Sequence, residues 1–474
     1  MSPAPNSLVL AHLAKMREFF EGAPPPSRAA LGYRDLLAHY YNLLIPDDAT
    51  VLEVGCGGGE LLARLRARRV VGIDLSPAQI ARARVLVPHG RFAVQAGEQL
   101  ELVEKFDVIV VSDTLNYAAD VQALLERLQA GATAETRLIV NFQSNLWRPL
   151  LRLGRAVGLS GATPESSWLS AGDASNLLAL ADWEPVKKEQ HILVPLPLGG
   201  VGGVINRWFA PVLPGLRLTD FMVARSRRAA STPRPLPTVS VVIPARNEAG
   251  NIEAAVRRTP EMGAGTELIF VEGHSRDTTW AEIQRVQAAF PERRITILQQ
   301  TGTGKGNAVR EGFAAATGDL LMILDADLTV PPEELPKFYD VLTSGRAEFA
   351  NGVRLVYPMD ERAMPFLNLC ANKTFGLLFT WLVGQPMKDT LCGTKALSRA
   401  HYERIAAQRA YFGDFDPFGD FDLLFGAAKL NLKIADVPIR YRERTYGTTQ
   451  IHRWRHGWLL LRMVVFAARK LKFV

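Results

Sequence analysis

Cysteine is scarce in this chain of 474 residues: only Cys56, Cys370 and Cys392 occur, too few and too scattered for a disulfide framework or a zinc cluster. That scarcity suits a reducing compartment, so the expected location is cytoplasmic. No export is expected either, because Lys15 and Arg17 interrupt the first apolar stretch, SLVLAHLAKMREFF. Long hydrophobic runs are missing too. A spanning helix takes about 20 apolar residues, whereas the stretch Phe366–Gly384 carries Asn368, Asn372 and Lys373, and Trp458–Ala468 is short and holds Arg462. The charge of +7 and pI near 9.3 come without a nucleic-acid reader motif, and the basic residues gather in one linker and at the C-terminus, so nucleic acid is not an expected partner.

What is present points to folded, multidomain protein. Hydrophobic residues are 48% and charged residues 22%, enough to build real cores, and the length calls for two or three of them. The segment ARSRRAASTPRPLP, Ala224–Pro237, has no apolar period and reads as a linker between residues 1–223 and 238–474. On both sides, β-branched runs alternate with helical patterns, the signature of βαβ units and parallel sheets. Strands are expected near residues 51–54, 70–73, 92–94, 107–111 and 137–141, then near 239–243, 268–272, 295–299, 320–324, 348–353 and 434–441.

The first loop, VLEVGCGGGELL, sets Glu53, Gly55, Gly57 and Gly59 between a strand and a helix, where glycines let the backbone approach a ligand. Asp74 ends the next strand, about 20 residues on, where an acid accepts ribose hydroxyls. A dinucleotide fingerprint wants glycine at position 60, which is Glu60. EVGCGGG followed by GIDLS instead resembles class I S-adenosylmethionine-dependent methyltransferases, over roughly Tyr40 to Phe142. That resemblance implies a Rossmann-like fold, with S-adenosyl-L-methionine held by the loop from Glu53 to Gly59 and by Asp74. Glu98 is the acid nearest the expected adenine position, and Asp113, Asn116 and Tyr117 follow the fourth strand.

In the second half, VSVVIPARNEAGNI brings Pro244, Ala245, Arg246, Asn247 and Glu248 to a strand end, and LIFVEGHSRDTT does the same for Glu272. The stretch QQTGTGKGNAVREGF is not a phosphate-binding loop of the ATPase kind, since Gln299 and Gly306 stand where that pattern needs Gly and Ser or Thr. Lys305 is still placed to face a phosphate as a point charge. In LMILDADLTVPPEEL, Asp325 and Asp327 sit one residue apart where the chain leaves the sheet, a geometry that lets two carboxylates share Mg²⁺ or Mn²⁺.

These stretches, with DTLCGTKALSR and YRERTYGTTQI, are similar in kind and order to family 2 glycosyltransferases of the GT-A fold, especially the dolichyl- and polyprenyl-phosphate hexosyltransferases. The resemblance implies an inverting transfer of hexose from a UDP- or GDP-sugar, with nucleotide contacts from Pro244 to Glu248 and metal contacts from Asp325 and Asp327. It further implies phosphate or sugar contacts from Arg354 and Arg362, pyrophosphate contacts from Arg444, Thr448 and Thr449, and Asp389 beside the reacting sugar. Glu272, Gly273 and His274 depart from the usual acidic pair, leaving uracil and guanine both open, and Thr329 replaces a frequent glutamine of the metal shell.

A lipid phosphate acceptor is ionised at neutral pH, its second pKa being about 6, and needs no strong base. A sugar or protein hydroxyl does need one; Asp389, Asp420 and Asp422 are the candidates, and the N-terminal domain would then be a binding or scaffolding module. The C-terminal stretch favours the lipid. Arg453, Arg455, Arg462, Arg469, Lys470 and Lys472 accompany Trp454, Trp458 and an apolar face, which suits docking on an anionic membrane surface.

Overall fold

The computed structural model describes residues 7–144, 147, 149, 153, 164, 167, 169–195, 200–213, 215–216, 218–231, 235–358, 366–411, 420–444, 446 and 453–474. The chain divides into two compact units, Met1–Ala230 together with Phe473–Val474, and Ser231–Lys472.

In the first unit the apolar runs become β1 (Thr50–Val54), β2 (Arg69–Asp74), β3 (Arg91–Val94), β4 (Val108–Ser112) and β5 (Arg137–Gln143). All five are parallel, and every residue of β4 is buried, as expected of a strand covered on both faces. The sheet continues through β6 (Trp183–Ile192) and β7 (Thr219–Ser226) in the order β3-β2-β1-β4-β5-β7-β6. Helices α1 (Ser7–Glu21), α2 (Arg28–Leu44), α3 (Pro77–Leu86), α4 (Val121–Leu128), α5 (Ala171–Leu180) and α6 (Val201–Trp208) complete the unit. Strand order reverses beside β1, which has β2 on one side and β4 on the other, so a crevice opens at its carboxyl end.

Two features correct the sequence reading. The sheet is mixed, because β7 runs antiparallel to β5, and β6 antiparallel to β7. β6 was hidden by its polarity: WEPVKKEQHI buries Lys187, Glu189 and His191 only because Lys187 Nζ and His191 Nε2 lie 2.9 and 2.7 Å from the Glu189 carboxylate, with Tyr40 stacked on His191. The linker also starts later than Ala224. β7 extends through Ser226, a single helical turn follows at Arg227–Ala230, and Arg225 is buried against Glu184 at 2.7 Å rather than solvated.

The second unit repeats the logic with β8 (Val239–Ala245), β9 (Thr266–Glu272), β10 (Arg294–Gln299), β11 (Leu320–Ile323), β12 (Phe349–Val353), β13 (Lys395–Ser398) and β14 (Ile434–Pro438), ordered β10-β9-β8-β11-β13-β12-β14. β8, β9, β10 and β11 are parallel, and order reverses at β8. β13, only four residues long and unforeseen, is antiparallel to β11 and β12, making this sheet mixed as well. Around it lie α7 (Ile252–Arg258), α8 (Thr279–Ala289), α9 (Lys305–Ala315), α10 (Leu335–Thr343), α11 (Phe366–Val383), α12 (Arg399–Ala407), α13 (Asp420–Lys429) and α14 (Arg453–Leu471). α11 packs on α14. Among the described residues no helix is long and apolar enough to cross a membrane.

Candidate functional sites

In the first unit the turn after β1 is shaped by left-handed glycines, Gly55 at φ +77° and Gly57 at φ +52°. A Cβ on Gly55 would lie 2.2 Å from Thr114 Oγ1, so only glycine fits. Gly57 N donates to Asp74 Oδ2, and Ser76 N to Asp74 Oδ1, both at 2.9 Å, which fixes the Asp74 carboxylate at the rim. Glu53, Gly55, Gly57 and Asp74 line one cavity of about 280 Å³. Gly59 does not line it; at φ +81° it lets the chain pack closely on Ala83 of α3.

Glu53 is 2% exposed, and its Oε2 has no hydrogen-bond partner. Burial pushes its pKa up to about 8, and burial likewise raises Asp74 and Asp113. An orphaned buried acceptor beside a glycine cradle and a rim carboxylate suits a ligand bearing an ammonium group and a ribose, as S-adenosyl-L-methionine does. Glu98 lines the cavity too, but its Oε1 accepts from Ala119 N and Asp120 N, which commits that oxygen to the start of α4. Asn116 is tied to Ser167 O and Gln143 N, while Tyr117 faces the cavity.

The sequence reading missed the cover of this cavity. Leu13, Met16 and Phe20 of α1 and Arg34 of α2 form its wall, and Arg34 Nη1 meets Asp113 Oδ2 at 3.2 Å. Asp113 stands at φ +54°, held by Asn141 Nδ2 at 2.8 Å and Tyr33 OH at 3.4 Å. The amphipathic pattern of residues 7–44 could have revealed the helices, though not their place over the cavity.

In the second unit a cavity of about 540 Å³ opens at the carboxyl ends of β8 and β11. Pro244, Ala245, Arg246, Glu248, Lys305, Asp325, Asp327, Arg354 and Arg444 line it, so residues spread over some 200 positions converge as expected. Lys305, at the start of α9, holds Asp325 with Nζ 2.6 Å from Oδ1. Burial would raise Asp325, but Lys305, Lys395 and Arg354 together outweigh it and keep the carboxyl below its usual range. Gly393 makes the pairing possible: a Cβ there would lie 2.2 Å from Lys305 Nζ and 2.3 Å from Asp325 Oδ2.

Asp327 is engaged on both oxygens. Oδ1 accepts from Thr329 N (3.1 Å) and Thr329 Oγ1 (2.8 Å), and Oδ2 accepts from Arg444 Nη2 at 2.6 Å. The other arm of Arg444 reaches Glu248 Oε1, also at 2.6 Å. Glu248 is buried, and burial raises its pKa. Directly after the second aspartate, Leu328 adopts φ +51°, an uncommon conformation for a branched apolar side chain, and its N–H closes the acid turn by donating to Asp325 O at 3.1 Å.

Four expected or candidate site residues stand outside the cavity wall. Asp389 is fully buried beneath the cavity, and its carboxylate receives Arg354 Nε (2.7 Å), Arg354 Nη2 (2.9 Å), Arg354 N (3.2 Å) and Leu391 N (3.1 Å). Burial acts to raise its pKa, and Arg354 more than reverses that. With both oxygens so occupied, Asp389 holds Arg354 in place, and the Arg354 guanidinium also packs on Tyr441 at 5.1 Å. Asn247, at φ +56°, ties the β9 loop to the β8 loop by accepting from Arg276 N at 2.7 Å, and Glu272 accepts from Ser275 N; neither lines the cavity. Asp422 is paired with Arg409 at 2.9 Å, outside the cavity. Arg362, Thr448 and Thr449, and the side chains of Asp420, Arg453, Trp454 and Arg455, lie outside the described residues. Gln300, Cys392 and Gly393, not singled out from sequence, are part of the cavity wall.

With this geometry in view, the likenesses to known proteins divide at the same boundary. Residues 52–138 match the family model for a methyltransferase domain, and residues 240–405 that for glycosyl transferase family 2. A dolichol-phosphate mannosyltransferase of Pyrococcus furiosus is 28% identical over 220 residues, covering 45% of this chain and 59% of that protein. An undecaprenyl-phosphate 4-deoxy-4-formamido-L-arabinose transferase of Pectobacterium atrosepticum is 31% identical over 217 residues, 45% of this chain and 62% of that protein. The chain thus matches less than two thirds of the length of these relatives. A solved glucosyl-3-phosphoglycerate synthase from Mycobacterium tuberculosis overlays 50% of this chain and 80% of its own at 19% identity and a TM-score of 0.36, too slight a likeness to carry weight.

Proposed function

Because residues 52–138 are a methyltransferase domain and residues 240–405 a family 2 glycosyltransferase domain, we propose that this chain moves a hexose from a nucleotide-diphosphosugar to a polyprenyl phosphate and also carries a methyltransferase centre. One observation bears most on the acceptor. Among the described residues, each carboxylate in the wall of the larger cavity already has a cationic partner: Asp325 has Lys305, while Asp327 and Glu248 share Arg444. Asp389 below it is saturated by Arg354. Among the described residues the wall holds no carboxylate free of a cationic partner, which suits an acceptor that arrives ionised, and the names of the two relatives above, both polyprenyl-type phosphate transferases, agree with it.

The transfer then balances without a proton. A phosphate oxygen of the acceptor forms a bond to the anomeric carbon as the bond from that carbon to the diphosphate oxygen breaks, and the electron pair leaves with the diphosphate. Lys305, Arg354 and Arg444 bring positive charge to the wall where this negative charge gathers. Asp325 and Asp327 are hard oxygen donors one residue apart, already attracting cationic side chains, and fit Mg²⁺ or Mn²⁺. Such an ion supplies Lewis-acid charge to the departing diphosphate. Arg354, clamped from below by Asp389, has a fixed fork with which to orient a phosphate.

In the first unit, Glu53, Gly55, Gly57 and Asp74 would hold S-adenosyl-L-methionine, which supplies an electrophilic methyl group. Docking at a membrane surface accords with the outer side of α14, where Trp458, Leu461 and Val465 are exposed beside exposed Arg462 and Arg469, and with exposed Leu377 and Lys373 on α11. The deciding assay is a thermal-shift screen of UDP- and GDP-sugars with Mn²⁺, followed by transfer to a short polyprenyl phosphate. Asp325→Asn should abolish transfer; full activity in that variant overturns the assignment.

A further inference from the structure

Arg444 is the unusual group in the larger cavity. It bridges Asp327 and Glu248 with one guanidinium, one arm to each carboxylate, both at 2.6 Å. The remaining oxygen of Asp327 is committed to Thr329, which donates both its backbone N–H and its hydroxyl. Three of the roughly four lone-pair positions of the Asp327 carboxylate are therefore taken, and a divalent cation approaching Oδ2 meets the positive charge of Arg444. The backbone around this lock is tied down: Arg442 N donates to Thr329 O at 2.8 Å, joining the arginine-bearing segment to the acid loop, and Leu328 N donates to Asp325 O at 3.1 Å, closing the turn that carries both acids. The guanidinium is the part left to move, and its side chain is a quarter exposed to the cavity.

A planar guanidinium binds a phosphate as readily as a carboxylate, through the same parallel pair of N–H donors. Building on the reading of this unit as a cation-dependent transferase, we propose that Arg444 is a resident counter-cation that the diphosphate of an incoming donor draws off Asp327, so that divalent cation and nucleotide diphosphate bind cooperatively. Each ligand then prepares the site for the other. The diphosphate removes the arginine from Asp327, and a cation on Asp327 releases the arginine to the diphosphate. Such coupling is reciprocal by thermodynamic necessity, with factors usually between about 5 and 150. Lys305 on Asp325 is a different arrangement, a flexible ammonium with rotatable donors that can hold a carboxylate and a phosphate oxygen together.

The experiment is Mn²⁺ titration by calorimetry and by loss of the free-ion electron paramagnetic resonance signal, with and without saturating UDP or GDP, on the full chain and on Arg444→Gln and Arg444→Lys. In the parent, nucleotide should tighten Mn²⁺ binding by about tenfold or more. Arg444→Gln should bind Mn²⁺ about tenfold more tightly than the parent without nucleotide, and nucleotide should then tighten it by a several-fold smaller factor than in the parent, the remainder being the diphosphate's own hold on the cation. Arg444→Lys, which keeps the charge but loses the fork, should fall between, and thermal unfolding checks that both variants fold. An unchanged nucleotide-free affinity in Arg444→Gln overturns the proposal. So does a gain of equal size with and without nucleotide, because that is what deleting a nearby positive charge does by itself. If the parent binds no Mn²⁺ even with nucleotide, the cation-dependent reading falls together with the proposal; if the parent binds with nucleotide and only the variant pattern fails, the proposal alone falls.

Discussion

Replacing Asp389 by Asn separates a base from an anchor. The side chain is fully buried, and its two oxygens accept four hydrogen bonds, three from Arg354 and one from Leu391 N. The amide is nearly the same size, but it turns one acceptor into a donor facing the Arg354 fork and leaves that guanidinium buried without its counter-charge. Removing one partner of a buried pair costs about 3–5 kcal/mol. At roughly 2–4 °C per kcal/mol for a unit of this size, Tm should fall by about 6 to 20 °C. The pH arm follows from linkage. The carboxyl is held below its unfolded value, so its stabilisation is present above that value, near 4, and is lost as pH falls through the lower folded value. The gap in Tm between parent and Asp389→Asn should therefore be constant from pH 5 to 8 and narrow in more acid solution. The double replacement Asp389→Leu with Arg354→Met removes both charges and should recover most of the lost stability while remaining inactive. A variant Asp389→Asn that melts within a degree of the parent yet has lost transfer would refute the anchor and restore the base.

Other perturbations address both cavities. Gly393→Ala forces a Cβ between Lys305 and Asp325, an overpacking of about 1–3 kcal/mol; binding of nucleotide with Mn²⁺, read by calorimetry, should weaken at least about tenfold, and unchanged affinity would contradict the geometry. Gly55→Ala places an L side chain at φ +77° against Thr114, costing about 1–2 kcal/mol before the clash is counted, so the first unit should lose both stability and S-adenosylmethionine binding in a melting assay. Glu53→Gln tests the raised pKa. A carboxyl that titrates near 4.5 unfolded and about 8 folded withdraws stability as pH climbs between those values, so the variant should melt above the parent at pH 8 and level with it at pH 4; an equal difference at both contradicts the burial argument. On α14, Trp458→Asp removes about 2–4 kcal/mol of apolar anchoring, and flotation on anionic liposomes should drop at least about tenfold.

How much could be read beforehand follows from how far apart the interacting residues lie. That Glu53, Gly55, Gly57 and Asp74 line one cavity was legible because turn glycines and a strand-end acid work within a single βαβ unit, and that Asp325 and Asp327 line another because a strand end is a local signal. The ion pairs that decide the chemistry are not local. Arg354 and Asp389 are 35 positions apart, Arg444 is 117 from Asp327 and 196 from Glu248, and nothing in either flanking pattern says which cation meets which acid. Strand signals failed for a related reason. β13 is too short to have a period, and β6 hides Lys187, Glu189 and His191 by pairing them with one another, so a rule that reads burial from apolar residues sees a loop. Asp389 combines both failures: a motif places an acid at the right address, yet its role depends on a partner from another strand. The same residue type at the same position is a base when its oxygens face the cavity and an anchor when an arginine covers them. Charge pairing is thus the level at which sequence likeness stops determining function here, and the fate of Arg444 on ligand binding lies at that level as well.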